Sequence, residues 1–287
     1  MPSVRDMRRR IRSVQNTGKV TNAMSLIAAS KMRRAQIAVT QGRPFAEKIQ
    51  EIITHLAAQP SDDGGTVHPL LQVRPVQKVG ILVISPDRGL CGGIVGNLNR
   101  AVGQFIQEQT VPSTAIVVGK KSRDFMVRSG QDVKAVFIDL PDRPVLDDTT
   151  AISHLVIDSY ADGEVDEFYL AYTKFVSTVS QMPVIERLLP VTPASLTGSE
   201  KVGYIYEPNS LMVLESLLPR FVEMEVFHAM LESLASEQSS RMVAMRNATD
   251  NANELMNDMT LVMNRIRQDS ITNELLDLIG GQIALEG

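Results

Sequence analysis

The chain has 287 residues, 44% of them hydrophobic and 22% charged, with a net charge of −4. That balance gives no general attraction to nucleic acid, and the length allows one or two domains with a proper core. The single cysteine, Cys91, excludes an internal disulfide, and no window reaches the ~18 uncharged apolar residues of a membrane span.

The opening "MPSVRDMRRRIRS" lacks the apolar core of a signal peptide. Its arginines resemble a mitochondrial presequence, but the pattern runs on into residues 3–58, which read as one helix with Pro44 as a kink or break. Ile11, Val14, Gly18, Thr21, Ser25, Ala28, Met32, Ala35 and Val39 recur at steps of three and four. This is a heptad-like seam of mostly small residues, suited to a close partner helix. A second stripe, Val20, Met24 and Ile27, points elsewhere and calls for another partner.

Residues 59–77 are rich in Pro, Gly and Asp and read as a linker. From 78 to about 190 short β-rich runs, "KVGILVIS", "TAIVVG", "VKAVFIDL" and "EFYLAYTKF", alternate with helical stretches that stop at Gly130 and Gly163. The pattern predicts a small, mostly parallel, Rossmann-like α/β sheet with a last edge strand around "MPVIERLLPV".

Residues 194–208 read as a loop, and 209–280 as one long helix containing Pro219. Met245, Ala248, Ala252, Leu255, Met259, Val262 and Ile266 form its predicted seam. Roughly 70 helical residues span about 105 Å, more than a compact domain of this size needs. Eight of the 14 methionines fall after residue 210, and tryptophan is absent, which suits long helices rather than an aromatic-filled core. The expected fold is therefore α/β plus a long antiparallel α-helical coiled coil. Its N- and C-terminal helices (1–58 and 209–287) pair, a Rossmann-like domain (75–193) is inserted between them, and a tip at about 265–287 projects alone.

The first 48 residues carry 11 Lys and Arg against two acidic residues; from 210 onward 12 acidic residues stand against five basic. Two solvated faces are one reading. The other is a basic collar of Arg8, Arg9, Arg10, Arg12, Arg33 and Arg34 facing an acidic partner.

"SPDRGLCGG", 85–93, follows a strand and precedes a helix, as phosphate-binding turns do. It lacks G-x-G-x-x-G, "VVGKKS" lacks the upstream glycine of a phosphate loop, and no base or cysteine-enzyme signature surrounds Cys91. Its glycines read as a tight turn allowing close backbone contact. No residues show metal-ligand spacing. The sites of this chain are expected to be surfaces, and the apolar residues Leu275, Leu278 and Ile279 of the tip need a partner.

"RIRSVQNTGKVTNAMSLIAASKMRRAQ" (10–36), "DRGLCGG" (87–93), "YIYEP" (204–208), "ASEQSSRMVAMRNATDNA" (235–252) and "RQDSITNEL" (267–275) resemble, in order, the γ subunits of F-type ATP synthases. The resemblance covers nearly the whole chain. It implies a rotor shaft inside a hexamer of α and β subunits, with the α/β domain beside the ε subunit on the ring of c subunits. Proton flow turns the ring and shaft, catalysis belongs to β, and this chain is expected to hold no cofactor and no catalytic residue.

Among residues, the resemblance implies that Arg8, Arg9, Arg10, Arg33 and Arg34 face β levers, with Met24 at that level. Asp87, Arg88 and Cys91 lie within reach of β, Arg267, Gln268 and Thr272 meet a β loop, and Tyr204, Tyr206 and Glu207 rest on the c ring. One departure is Val95 and Gly96, where members often carry an Asn; another is the absence of the paired-cysteine insertion of chloroplast members. Without an evident presequence, the expected place is the cytoplasmic face of a bacterial plasma membrane, peripheral, rather than the mitochondrial matrix. The rival reading is a coiled-coil adaptor unrelated to ATP synthesis.

Overall fold

The computed structural model describes residues 3–57, 68–191 and 210–286. They belong to two compact units: Met1–Ile27 with Met242–Gly287, and Ala28–Arg241.

The long helices form as their patterns predict. Helix α1 runs Val4–Ala57, through Pro44. Ser3 opens it: its hydroxyl accepts the Asp6 N–H at 3.2 Å and donates to the Asp6 carboxylate at 2.8 Å, satisfying an otherwise orphaned first-turn donor. The last helix, named α5 below, runs Ser210–Glu286 and continues through Gly280 and Gly281.

In the first unit the two helices pair antiparallel. A methyl on Gly18 would sit 3.4 Å from the Ala252 Cβ, Thr21 meets Thr249 at 2.7 Å, and the Ser25 hydroxyl donates to the Met242 carbonyl at 3.4 Å. Small residues permit this approach, as the sequence predicts. The α5 seam is shifted by one position from expectation in two places. Leu255 and Val262 are 45% and 48% exposed, whereas Met256 and Met263 are half-buried. Both frames satisfy a three-four alternation, and only contact with α1 selects between them.

The second unit is built on a five-stranded sheet of order β3-β2-β1-β4-β5. Its elements are β1 (Val79–Ile84), α2 (Ile94–Glu108), β2 (Ser113–Val118), α3 (Lys120–Arg128), β3 (Asp132–Phe137), α4 (Leu146–Ala161), β4 (Glu167–Phe175) and β5 (Gln181–Leu189). The first four strands in the order pair parallel, and β5 is antiparallel to β4. The β1 strand is buried at every residue, as a central parallel strand must be. Alternate side chains serve opposite faces. Ile81 and Val83 pack with Leu98 and Val102 of α2 and Met126 of α3. Leu82 and Ile84 pack with Ile49 and Ile53 of α1, Val156 of α4, and Leu218, Val222 and Val226 of α5. Gly130 and Gly163 have φ of +69° and +75° and end α3 and α4 as expected.

Candidate functional site

The turn between β1 and α2 is held by several side-chain and backbone bonds. Asp87 accepts the Lys120 N–H at the start of α3 and the Asp139 N–H after β3, each at 2.9 Å. Both carboxylate oxygens are thus spent on tying together the ends of three strands, and the negative charge sits favourably at the α3 N-terminus. Gly119 makes this closure possible. Its φ is +96°, and a Cβ there would lie 2.0 Å from the Ser85 carbonyl oxygen, so no side chain fits. "VVGKKS" is a strand-to-helix corner.

From this anchored turn Arg88 points into solvent. Leu90, with φ +61° and 64% exposure, is held outward in a conformation rare for a branched residue. Sequence reasoning missed Leu90, because nothing in "DRGLCGG" marks which residue takes the left-handed position. Cys91 is 1% exposed, and its thiol faces the Arg88 carbonyl at 3.6 Å. Burial pushes the thiol up from its ordinary range, against the pull of Arg241, so it stays protonated near neutrality. Cys91 therefore packs inside the turn and helps set its shape.

A cavity of about 310 Å³ lies at the carboxyl ends of β1, β2 and β3. Its carboxylates already have partners: Asp87 as above, Asp139 with Lys120 at 2.6 Å, Asp142 with Lys31 at 2.6 Å, and Glu237 with Arg241 at 2.6 Å. The Lys31 ammonium holds the Asp142 carboxyl below its ordinary range.

The arginines fall in both units. In the first, Arg8, Arg9, Arg10 and Arg12 are exposed; Arg9 lies 3.5 Å from Asp6, a weak surface contact. In the second, Arg33 and Arg34 are exposed. Val20, Leu26 and Ile27 are 59%, 66% and 57% exposed, with Met24 half-buried among them. The second stripe of α1 is therefore uncovered within its own unit. Arg267, Gln268 and Thr272 are exposed, as is every side chain from 267 to 282. The Thr272 hydroxyl donates to the Gln268 carbonyl at 3.0 Å, leaving its oxygen free to accept. Tyr204, Tyr206 and Glu207 lie outside the described residues.

Two terminal helices that pair antiparallel, a small α/β domain inserted between them in sequence, and apolar helix faces left open define a stalk protein of a larger assembly. A family model described as ATP synthase matches residues 3–285. The chain is 57% identical to the ATP synthase gamma chain of Dehalococcoides mccartyi strain CBDB1, covering 99% of this chain and 100% of that one. It is 47% identical to that of Herpetosiphon aurantiacus, over 99% of each. The chain belongs to the ATP synthase γ-chain family. Among solved structures, the central stalk and c-ring of Tetrahymena thermophila mitochondrial ATP synthase matches with TM-score 0.60 and 25% identity, over 80% of this chain and 99% of that one. The rotor of Euglena gracilis mitochondrial ATP synthase shares the fold, with TM-score 0.66 and 19% identity over 93% and 98%.

Proposed function

We propose that this chain is the central shaft of an F-type ATP synthase, carrying torque between a membrane c ring and a catalytic hexamer of α and β subunits. Catalysis lies on β, and the shaft has none of its own. Rotation biases three chemically equivalent sites one after another, which demands asymmetry in what the shaft presents. The observation that carries this reading is the pattern of exposure along the helices. The seam is covered, while Val20, Leu26, Ile27, Leu275, Leu276, Leu278 and Ile279 stand in solvent at 50% exposure or more. Apolar faces of that extent belong against neighbouring subunits.

Residue roles follow from the same reading. Arg8, Arg9, Arg10, Arg33 and Arg34 face acidic β levers, with Met24 at their level. Arg88 and Leu90 reach β from a turn that Asp87 holds and Cys91 shapes. Arg267, Gln268 and Thr272 grip a β loop near the tip. Tyr204, Tyr206 and Glu207 rest on the c ring, and ε flanks the α/β domain. No helix among the described residues is long and apolar enough to cross a membrane, so attachment at the cytoplasmic face of the bacterial plasma membrane runs through the complex. The test is reconstitution. The purified chain alone hydrolyses no ATP, yet restores proton-coupled turnover to particles of α and β rejoined to their membrane sector. ATPase activity in the isolated chain, or failure to restore coupling, overturns the proposal.

A further inference from the structure

"ESLASEQSSR", residues 232–241 of α5, is rich in serine, yet it is among the most buried stretches of the helix. Glu232, Ser233, Ser236, Ser239 and Arg241 are 1%, 6%, 0%, 0% and 9% exposed. They bond backbone groups of the sheet and its adjoining turns, and Arg241 also pairs with Glu237 at 2.6 Å. The Ser233 hydroxyl donates to the Ile84 carbonyl at the end of β1 at 3.4 Å. Ser236 donates to the Thr173 carbonyl of β4 at 2.9 Å, and Glu232 accepts the Phe175 N–H at 2.7 Å. Ser239 donates to the Thr178 carbonyl of the β4–β5 hairpin at 3.0 Å. Ser240 donates to the Cys91 carbonyl at 2.6 Å, and Arg241 to the Gly89 carbonyl at 3.3 Å.

Glu232, Ser236 and Ser240 are spaced by four and Ser233, Ser236 and Ser239 by three, so these five share one polar face of the helix, with Arg241 at its edge. They grip three separate places: the end of β1, the turn after it, and the β4–β5 hairpin. Gly92 lets the turn come this close, since a Cβ there would meet the Ser240 hydroxyl at 3.0 Å. The neighbouring contacts of Val222, Val226 and Ala229 are apolar. Apolar contact holds two surfaces together but is non-directional, and so resists sliding and twisting weakly. A hydrogen bond weakens steeply once its angle is lost, so a row of them resists rotation of the helix about its own axis. Each bond broken by twisting also leaves a buried carbonyl or N–H without a partner.

We infer that the 232–241 stripe is a torsional joint, a set of positioning residues that locks α5 to the ends of β1 and β4 so that torque passes between sheet and helix without slip. This rests on the shaft reading above. The experiment uses the assembled complex carrying the triple variant Ser236→Ala, Ser239→Ala, Ser240→Ala. A probe is attached to the α/β domain, and its angular spread is recorded during ATP-waiting pauses. The expected result is a wider angular distribution and a loss of protons pumped per ATP while ATP turnover continues, with Ser240→Thr, which keeps a donor hydroxyl, behaving as wild type. A stripe that only stabilised the fold would lower the melting temperature and leave the angular width alone, and that result overturns the inference. If the triple variant fails to assemble, Ser239→Ala and Ser240→Ala are measured singly; unaltered widths in both also overturn it. Failure of the wild-type chain to turn at all contradicts the shaft reading instead.

Discussion

Thr21 and Thr249 approach each other to 2.7 Å across the paired terminal helices. Each hydroxyl also lies within reach of a carbonyl of its own helix, Gly18 at 3.1 Å and Met245 at 2.9 Å. Two protons serve three contacts, so at any moment one hydroxyl donates across the pair or both turn back. The pair fixes helix register in a seam whose other side chains, Ser25 apart, are apolar. Thr21→Val keeps the shape and removes the hydroxyl; it should cost about 1 kcal/mol in unfolding of the full chain. Thr21→Val with Thr249→Val should cost less than the sum of the single changes, because both remove one shared interaction. Strict additivity would show that the two hydroxyls act independently.

The corner at Gly119 makes a harsher prediction. A Cβ there lies 2.0 Å from a backbone oxygen at φ +96°. Neither can give way without breaking the Ser85 and Asp87 bonds that tie the strand ends. Gly119→Ala should therefore destabilise by more than about 3 kcal/mol, read as a large drop in denaturant midpoint or as insoluble expression. A change within the range of ordinary surface substitutions would contradict so tight a corner at Gly119.

Glu225 gives a pH signature. Burial, with Glu186 nearby, raises its carboxyl above the ordinary value of 4.5. The folded chain then holds this proton more tightly than the unfolded chain does. Its contribution to stability is fully present below about 4.5 and is lost as pH rises through the raised folded value. Glu225→Gln, which stays neutral, should raise the melting temperature at pH 8 and change little near pH 4.5. The reverse dependence would mean that the carboxylate is stabilised in place. Glu237 is raised by burial in the same direction, but Arg241 opposes the shift, so its replacement would also strand a buried guanidinium.

The basic residues at the start of α1 should act on coupling rather than folding. Arg8, Arg9 and Arg10 are exposed, so reversing all three to Glu should leave the melting temperature of the chain nearly unchanged. Coupled turnover of the complex should fall, most clearly at low salt, where exposed charges are least screened. Normal coupling at low salt would reduce the three to a solvated face.

Much of this was legible in the sequence because it depends on periodicity. The α1 seam from Ile11 to Val39 is buried or half-buried throughout, since small residues at steps of three and four have one way to pack. The strands were legible from their β-branched runs, bounded by glycine stops. The α5 register at Leu255 and Val262 was not, because adjacent apolar positions fit the same alternation and the partner decides. The stripe from Glu232 to Arg241 was invisible for a different reason. A serine bonded to water and a serine bonded to a strand carbonyl look the same in a sequence. Asp87 shows the same limit: it reads as a charge free to meet a partner, but the fold commits both oxygens to backbone N–H groups.

A shaft of this kind turns within a ring of ATP-binding subunits. Single-molecule observation of an α and β hexamer fixed to a surface, with a probe on this chain, tests it most directly. The expected result is unidirectional rotation in three steps per turn, driven by ATP, in keeping with three equivalent sites biased one after another. A chain that binds the hexamer but stays fixed while ATP is hydrolysed would contradict it.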